Sequence, residues 1–173
     1  HMDEQEPMTT EPVKMRQKSE AVRIKGMSER EEDEAVSKVM SRFFDRQAKS
    51  ILPKLGAKAD WWDEERWNEE LADDLLPLIE KIADKHGMST ADVLGTEYGK
   101  EITRNYLRKL TEGRAKAINV STLEKLEDAL EDEETEPAEV FEKREGKDAD
   151  VFGQALATAV ANWAMIEAVH QAQ

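Results

Sequence analysis

The sequence predicts an all-α protein, a compact bundle of five or six helices behind a disordered leader. Apolar residues recur at steps of three and four through most of the chain, the period of a helix with one buried face. No stretch combines strict alternation with the turn chemistry of a strand pair. The chain has 173 residues, 37% of them charged, with only 8 Gly and 5 Pro to break helices. A chain of this length folds as one domain and buries roughly two-thirds of its unfolded surface. The predicted division is a leader over 1–34 and a helical domain over 35–173, with the first helices in 35–118 and the C-terminal ones in 119–173.

The leader carries few large apolar side chains, two prolines and the charged run Glu29-Arg30-Glu31-Glu32-Asp33-Glu34. Such a segment buries too little area to offset its ordering entropy. His1-Met2 reads as a tag remnant and is set aside. From Ala35 a stripe begins: Val36, Val39, Met40, Phe43, Phe44, Ala48, Ile51, Leu52 and Leu55. Gly56 follows in the usual place for a left-handed helix cap.

Asp60-Trp61-Trp62-Asp63 opens the next helix, with acids in its first turns where the helix dipole favours them. Its stripe is Trp67, Leu71, Leu75, Leu78, Ile79 and Ile82, Pro77 is expected to kink it, and His86-Gly87 to end it. Ser89 and Asp92 suggest a capped short turn over 90–95, and a longer helix is expected over 97–118 with Tyr98, Ile102, Tyr106 or Leu107, Leu110 and Ala117 as its stripe. Ser121-x-x-Glu124 has the form of a capping box for a further helix bearing Leu123, Leu126 and Leu130. Thr135-Glu136-Pro137 gives a stop and a restart, and Gly146 is expected to close the short helix containing Val140 and Phe141.

The last segment differs in kind. From Val151 to Val169 the only charge is Glu167, and apolar residues wrap more than one face. A helix apolar on most sides must be covered on most sides. Either it is the central helix of the bundle or another chain covers part of it. Phe152, Leu156 and Trp163 are its candidate partner contacts. Trp61 and Trp62 join them, because adjacent Trp residues cannot both face the core and Trp is a frequent interface anchor.

Charge narrows the function classes. The formal net charge is -14, which disfavours tight nucleic-acid binding, since that affinity comes largely from Lys and Arg displacing counterions. The charge is also blocked: residues 35–59 hold six bases against one acid and 97–118 six against three, while 60–86 hold three bases against ten acids and 123–150 four against thirteen. Zero Cys removes thiol catalysis and thiolate metal sites. No apolar run reaches the ~18 residues of a membrane span, so a soluble, intracellular chain is expected. Glu167-x-x-His170 has di-iron spacing but lacks the second pair and two further Glu that such sites need. Gly95-x-x-x-Gly99 lacks the Lys of a phosphate loop, and no nucleophile elbow accompanies either internal His. The expectation is no enzyme, no cofactor and no metal.

Four blocks carry a family resemblance. Phe43-Phe44-Asp45-Arg46-Gln47-Ala48 followed by Trp61 to Ala72 resembles the C-terminal region fused to many tailed-phage portal proteins. Ala117-Ile118-Asn119-Val120-Ser121-Thr122 followed by Leu123 to Leu130 is similar to the Ile-Asn-x-Thr-Thr element of Mu F-like head morphogenesis proteins. Thr158 to Trp163 with Glu167, Ala168 and Gln171 resembles the closing helix of that family. Ala159 stands where the family commonly has Glu, so the hydrophobic register carries over and the polar pattern does not. The resemblance implies a structural module of a phage or prophage head acting in head morphogenesis and DNA packaging. Its implied partners are the portal ring or other head proteins, with self-association as a further possibility, and its implied location is the virion head or the bacterial cytoplasm. An acidic helical regulator that mimics DNA is the alternative.

Overall fold

The computed structural model describes residues 27–56 and 60–173. Among them there is no strand, and the helices form four rods. The first is α1 (Glu29–Ile51), which tightens into a 3-10 turn over Leu52–Lys54. The second and third are α2 (Glu64–Leu94) and α3 (Lys100–Glu131). The fourth begins as α4 (Pro137–Lys143), passes through a π turn over Arg144–Asp148 and continues as α5 (Ala149–Gln171) without interruption. The all-α class stands, and the expected five or six separate helices reduce to four rods because three expected ends are not ends.

The first correction is at the leader boundary. Helix α1 starts at Glu29 rather than Ala35, capped by the Ser28 hydroxyl, which accepts from the Glu31 amide at 3.1 Å. The acidic run is thus a helix first turn, where carboxylates are favoured by the dipole, and Glu32 within it is buried. The part of the leader before Met27 lies outside the described residues, as do residues 57–59. Gly56 has φ +89°, the left-handed conformation expected of it.

Asp63 caps α2, its carboxylate accepting from the Arg66 amide at 3.2 Å. The helix runs through His86-Gly87 and ends at Gly95, with φ +71°. Gly87 is there for packing: a Cβ on it would lie 2.2 Å from Cζ of the Tyr98 ring. Ser89 and Asp92 fall inside α2 and cap no separate turn. Pro77 lies within the helix on its exposed side. Helix α3 likewise passes through the expected capping box, because Ser121 and Thr122 serve a buried side chain instead. The Thr122 hydroxyl donates to the Ile118 carbonyl at 2.9 Å and accepts from Arg144 Nε at 3.1 Å, while the Ser121 hydroxyl accepts from Arg144 Nη2 at 2.8 Å. Gly146, expected to end a helix, sits in the π turn that carries Arg144 inward.

The core is one cluster in which α5 lies on the α1–α2 pair and α3 packs along α2. Gly153, Leu156, Ala157, Val160, Ala164 and Ala168 form the inner face of α5. The small residues permit close approach: a Cβ on Gly153 would sit 2.7 Å from the Ser37 backbone nitrogen and 2.8 Å from its Cα. Backbone atoms cannot swing aside as a side-chain tip can. Gly153→Ala is therefore expected to push α5 off α1 and cost about 1–3 kcal/mol despite the better helix propensity of Ala, read as a fall in the urea midpoint; an unchanged midpoint would show that the two helices are looser than drawn.

Candidate interaction surface

Helices α3 and α5 run antiparallel along one side of the molecule and meet through side chains across a seam. At one end the Gly99 amide, N-cap of α3, donates to Oε1 of Gln171 near the end of α5 at 2.8 Å. Further along, the Tyr106 ring stacks on Trp163 with centroids 4.3 Å apart and planes 11° from parallel. Beyond that stack the seam opens into a cavity of about 220 Å³ lined by Met40, Arg114, Ala117, Ile118, Phe152 and Leu156.

The surface on both sides of this seam is apolar. Ile102 and Ile166 are each 69% exposed, and Tyr106, Val120, Val151, Met165 and Val169 are also exposed. Glu167, the one acid in this stretch of α5, is half-buried and accepts from Gln171 Nε2 at 3.3 Å. The outer face of α5 from Val151 to Val169 therefore carries no charge. In a chain with 37% charged residues, such a face is unusual; exposed Gln154, Thr158 and Asn162 share it with the apolar residues, and a cluster of exposed apolar side chains beside them marks an interaction site.

The charges flanking it are positive. Lys100, Arg104, Arg108, Lys109, Arg114 and Lys116 lie in the first half of α3, against Glu101 and Glu112. Arg104 is engaged by Asp84 and Glu80 of α2. Lys109, Arg114 and Lys116 are exposed and have no ion-pair partner among the described residues. The second half of α3 reverses sign, with Glu124, Glu127, Asp128 and Glu131 against Lys125.

The residues expected to make partner contacts are divided by the structure. Trp163 and Phe152 are half-buried along the seam, and Leu156 is 1% exposed, so its surface is used by the chain's own core. Phe152 also packs near Phe44, with centroids 6.4 Å apart, and the Arg144 guanidinium lies 5.1 Å from its centroid. Trp61 and Trp62 sit apart from the seam just ahead of α2, edge-to-face with centroids 6.2 Å apart. Both pack half-buried against the core, correcting the expectation that an adjacent pair cannot, because the non-helical backbone before α2 does not turn them to opposite faces. Ile102 and Tyr106, expected on the buried stripe of their helix, are exposed, and Leu107, the alternative to Tyr106, is the buried residue; Ile166, one of the apolar residues expected to wrap the last helix, lies on its outer side. The excess of bases over 97–118 was the available signal for that side.

Two buried polar centres hold the frame. In one, Glu32 is 2% exposed and accepts from Lys85, and its Oε2 is 2.8 Å from Nε2 of His86. Lys85 also donates to the Met27 carbonyl. Burial alone raises the Glu32 carboxyl, but the bonds and charges of His86 and Lys85 together outweigh it and hold the group below its ordinary value of 4.5. A carboxyl so lowered binds its proton more weakly in the folded chain than in the unfolded one. The stability it supplies is complete above its unfolded pKa and is lost as pH falls through the folded one. Replacing Glu32 by Gln is expected to flatten that part of the acid dependence of the urea midpoint. An acid limb as steep as that of the parent chain would contradict the assignment.

The other centre is a ladder of amides. Gln47 Nε2 of α1 donates to Asn119 Oδ1 at 3.1 Å, and Asn119 Nδ2 of α3 donates to Asn68 Oδ1 of α2 at 2.9 Å. It fixes the register of three helices.

Among the described residues no group of three or more His, Asp or Glu is placed to hold a metal ion. No described helix is long and apolar enough to cross a membrane. The Tyr98 hydroxyl is pushed up to about 12 by burial, with Asp84 and Glu167 adding to the effect, so it stays protonated at neutral pH. Comparison with protein-family models, with curated proteins and with solved structures returns no match.

Proposed function

We propose that this chain is a non-enzymatic structural module of a phage or prophage head, the C-terminal domain of a portal or portal-associated protein, and that it works by docking helical faces onto neighbouring proteins. The observation that carries the docking role is the charge-free outer face of α5 beside the basic half of α3. Such a face lowers its free energy by meeting another apolar surface rather than water.

Support for the phage-head part is the resemblance, together with how its blocks meet. Gln47, Asn68 and Asn119 come from three of the resembling blocks and form one hydrogen-bonded ladder. Thr122, at the end of the third block, receives the buried Arg144. The blocks thus coincide with the contacts that set the helix register, as expected where the resemblance reflects a shared packing scheme. The net charge of -14 fits a part that must let DNA pass without retaining it.

The test is binding to a purified tailed-phage portal assembly and its head proteins, with duplex DNA as the parallel ligand. The reading predicts saturable binding to a head component that Ile166→Glu abolishes, and no retention of DNA at physiological salt. Tight, salt-sensitive DNA binding, or absence of binding to every head component, would overturn it.

A further inference from the structure

We propose that the α3–α5 face docks a second copy of this chain through the acidic aromatic corner that opens α2, where Trp61 and Trp62 stand among Asp60, Asp63, Glu64 and Glu65. The inference rests on the interaction-module reading above and names the partner of that surface.

Sign selects the occupant. The face presents Ile102, Tyr106 and Ile166 to solvent, with Lys109, Arg114 and Lys116 exposed beside them. What fits is an apolar anchor flanked by carboxylates, since opposite potentials steer encounter and like charges exclude wrong pairings. The corner has that chemistry: two half-buried indoles, edge-to-face at 6.2 Å, with Asp60, Asp63, Glu64 and Glu65 all exposed. Trp is also among the residues most enriched at interface centres.

Geometry selects the mode. The Asn68–Asn119 bond and the Arg104–Asp84 pair together show α2 running antiparallel to α3, so the corner lies toward the acidic C-terminal half of α3. The basic face lies toward its N-terminal half. Asn68 is level with Asn119, so the corner lies level with about residue 124 and, at ~1.5 Å per residue, roughly 10–25 Å along the axis from Lys109, Arg114 and Lys116, which separates the two patches on one molecule. Pairing the α3–α5 face with itself in a symmetric dimer would bring Lys109, Arg114 and Lys116 toward the same cations of the partner. A head-to-tail contact joins unlike patches instead. The net charge of -14 opposes approach at low ionic strength, but near 0.15 M salt the screening length is about 8 Å, so long-range repulsion fades while contact pairs persist.

Charge reversal with complementation tests this at physiological salt, with molar mass read by light scattering over a concentration series. The variants are Lys109→Glu/Lys116→Glu and Glu64→Lys/Glu65→Lys. All four side chains are exposed, and circular dichroism confirms that each variant folds. The parent chain is expected to rise above monomer mass with concentration. Each variant alone should associate roughly tenfold or more weakly, because the first sets an acidic face against an acidic corner and the second has a corner whose two lysines cancel Asp60 and Asp63. An equimolar mixture of the two should associate again, since the unaltered basic face of one variant meets the unaltered acidic corner of the other. A parent chain that stays monomeric throughout overturns the proposal, as does a mixture no better than its components. Association weakened by the lysine changes but indifferent to the glutamate changes also overturns it, in favour of symmetric pairing. A monomeric parent that still binds a head component removes the second copy and leaves the module reading intact.

Discussion

Arg144→Ala is expected to destabilise the fold by about 3–5 kcal/mol, the range for removing one member of a buried ion pair. Arg144 is 2% exposed, and each part of its guanidinium is occupied. Nη1 donates to Asp148 at 2.7 Å, Nη2 to Ser121 at 2.8 Å and Nε to Thr122 at 3.1 Å. The rings of Phe152 and Phe44 lie 5.1 and 6.0 Å from its central carbon. Burial lowers its pKa and Asp148 opposes that, and a guanidinium keeps its charge in proteins. Alanine would leave Asp148 facing two hydroxyls without a cation, and would empty the space between α3 and α5. Arg144→Lys should recover only part of the loss, because an ammonium lacks the planar fork that reaches α3 and Asp148 at once. Chemical denaturation of the three proteins measures this. Equal stability for Ala and the parent would mean that the π turn, not the ion pair, sets the path of the chain.

The second large effect is a contrast on one helix. Val160 is fully buried and Ile166 is 69% exposed, yet both belong to the same uncharged stretch. Val160→Asp places a carboxylate in the core with no cation to receive it, and a loss above about 4 kcal/mol or outright unfolding is expected. Ile166→Asp should change stability by no more than about 0.5 kcal/mol. Circular dichroism with urea titration separates the two. Similar losses at both positions would mean that the outer face of α5 is packed within its own chain.

The stripes of α1 and α2 were legible in the sequence because each is amphipathic: Val36, Met40, Phe43, Phe44 and Ile51 are all buried as their spacing implies, and so are Trp67, Leu71, Leu75, Ile79 and Ile82. Helix ends were less legible, for a common reason. Gly87, Ser121 and Gly146 have the chemistry of terminators, but Gly87 makes room for the Tyr98 ring and Ser121 ligates a buried arginine. Local signals cannot distinguish a residue that stops a helix from one that receives a distant side chain. Glu32 was hidden in an acidic run for the same reason, since its partners Lys85 and His86 lie far along the chain.

Of the surface, Trp163 and Phe152 were legible from the lack of charge around them. Tyr106 and Ile102 were read as a buried stripe and are exposed instead, because the inner face of α3 runs through Thr103, Leu107, Thr111 and Ala115, whose small and polar members give a weak apolar signal. The two requirements imposed on α5 were posed as alternatives, a central helix or a face for another chain. The structure gives it both a buried side, through Leu156, Val160 and Ala164, and an uncharged outer side, through Val151, Ile166 and Val169.

The central claim, that this outer side with α3 docks a second copy of the chain, is tested most directly by an amide and indole NMR dilution series on the full chain. From micromolar to millimolar concentration the account predicts progressive shifts at Ile102, Tyr106, Lys109, Ile166 and Val169, and at the indoles of Trp61 and Trp62. Spectra unchanged across the series, or shifts confined to the acidic outer side of α2, would contradict it.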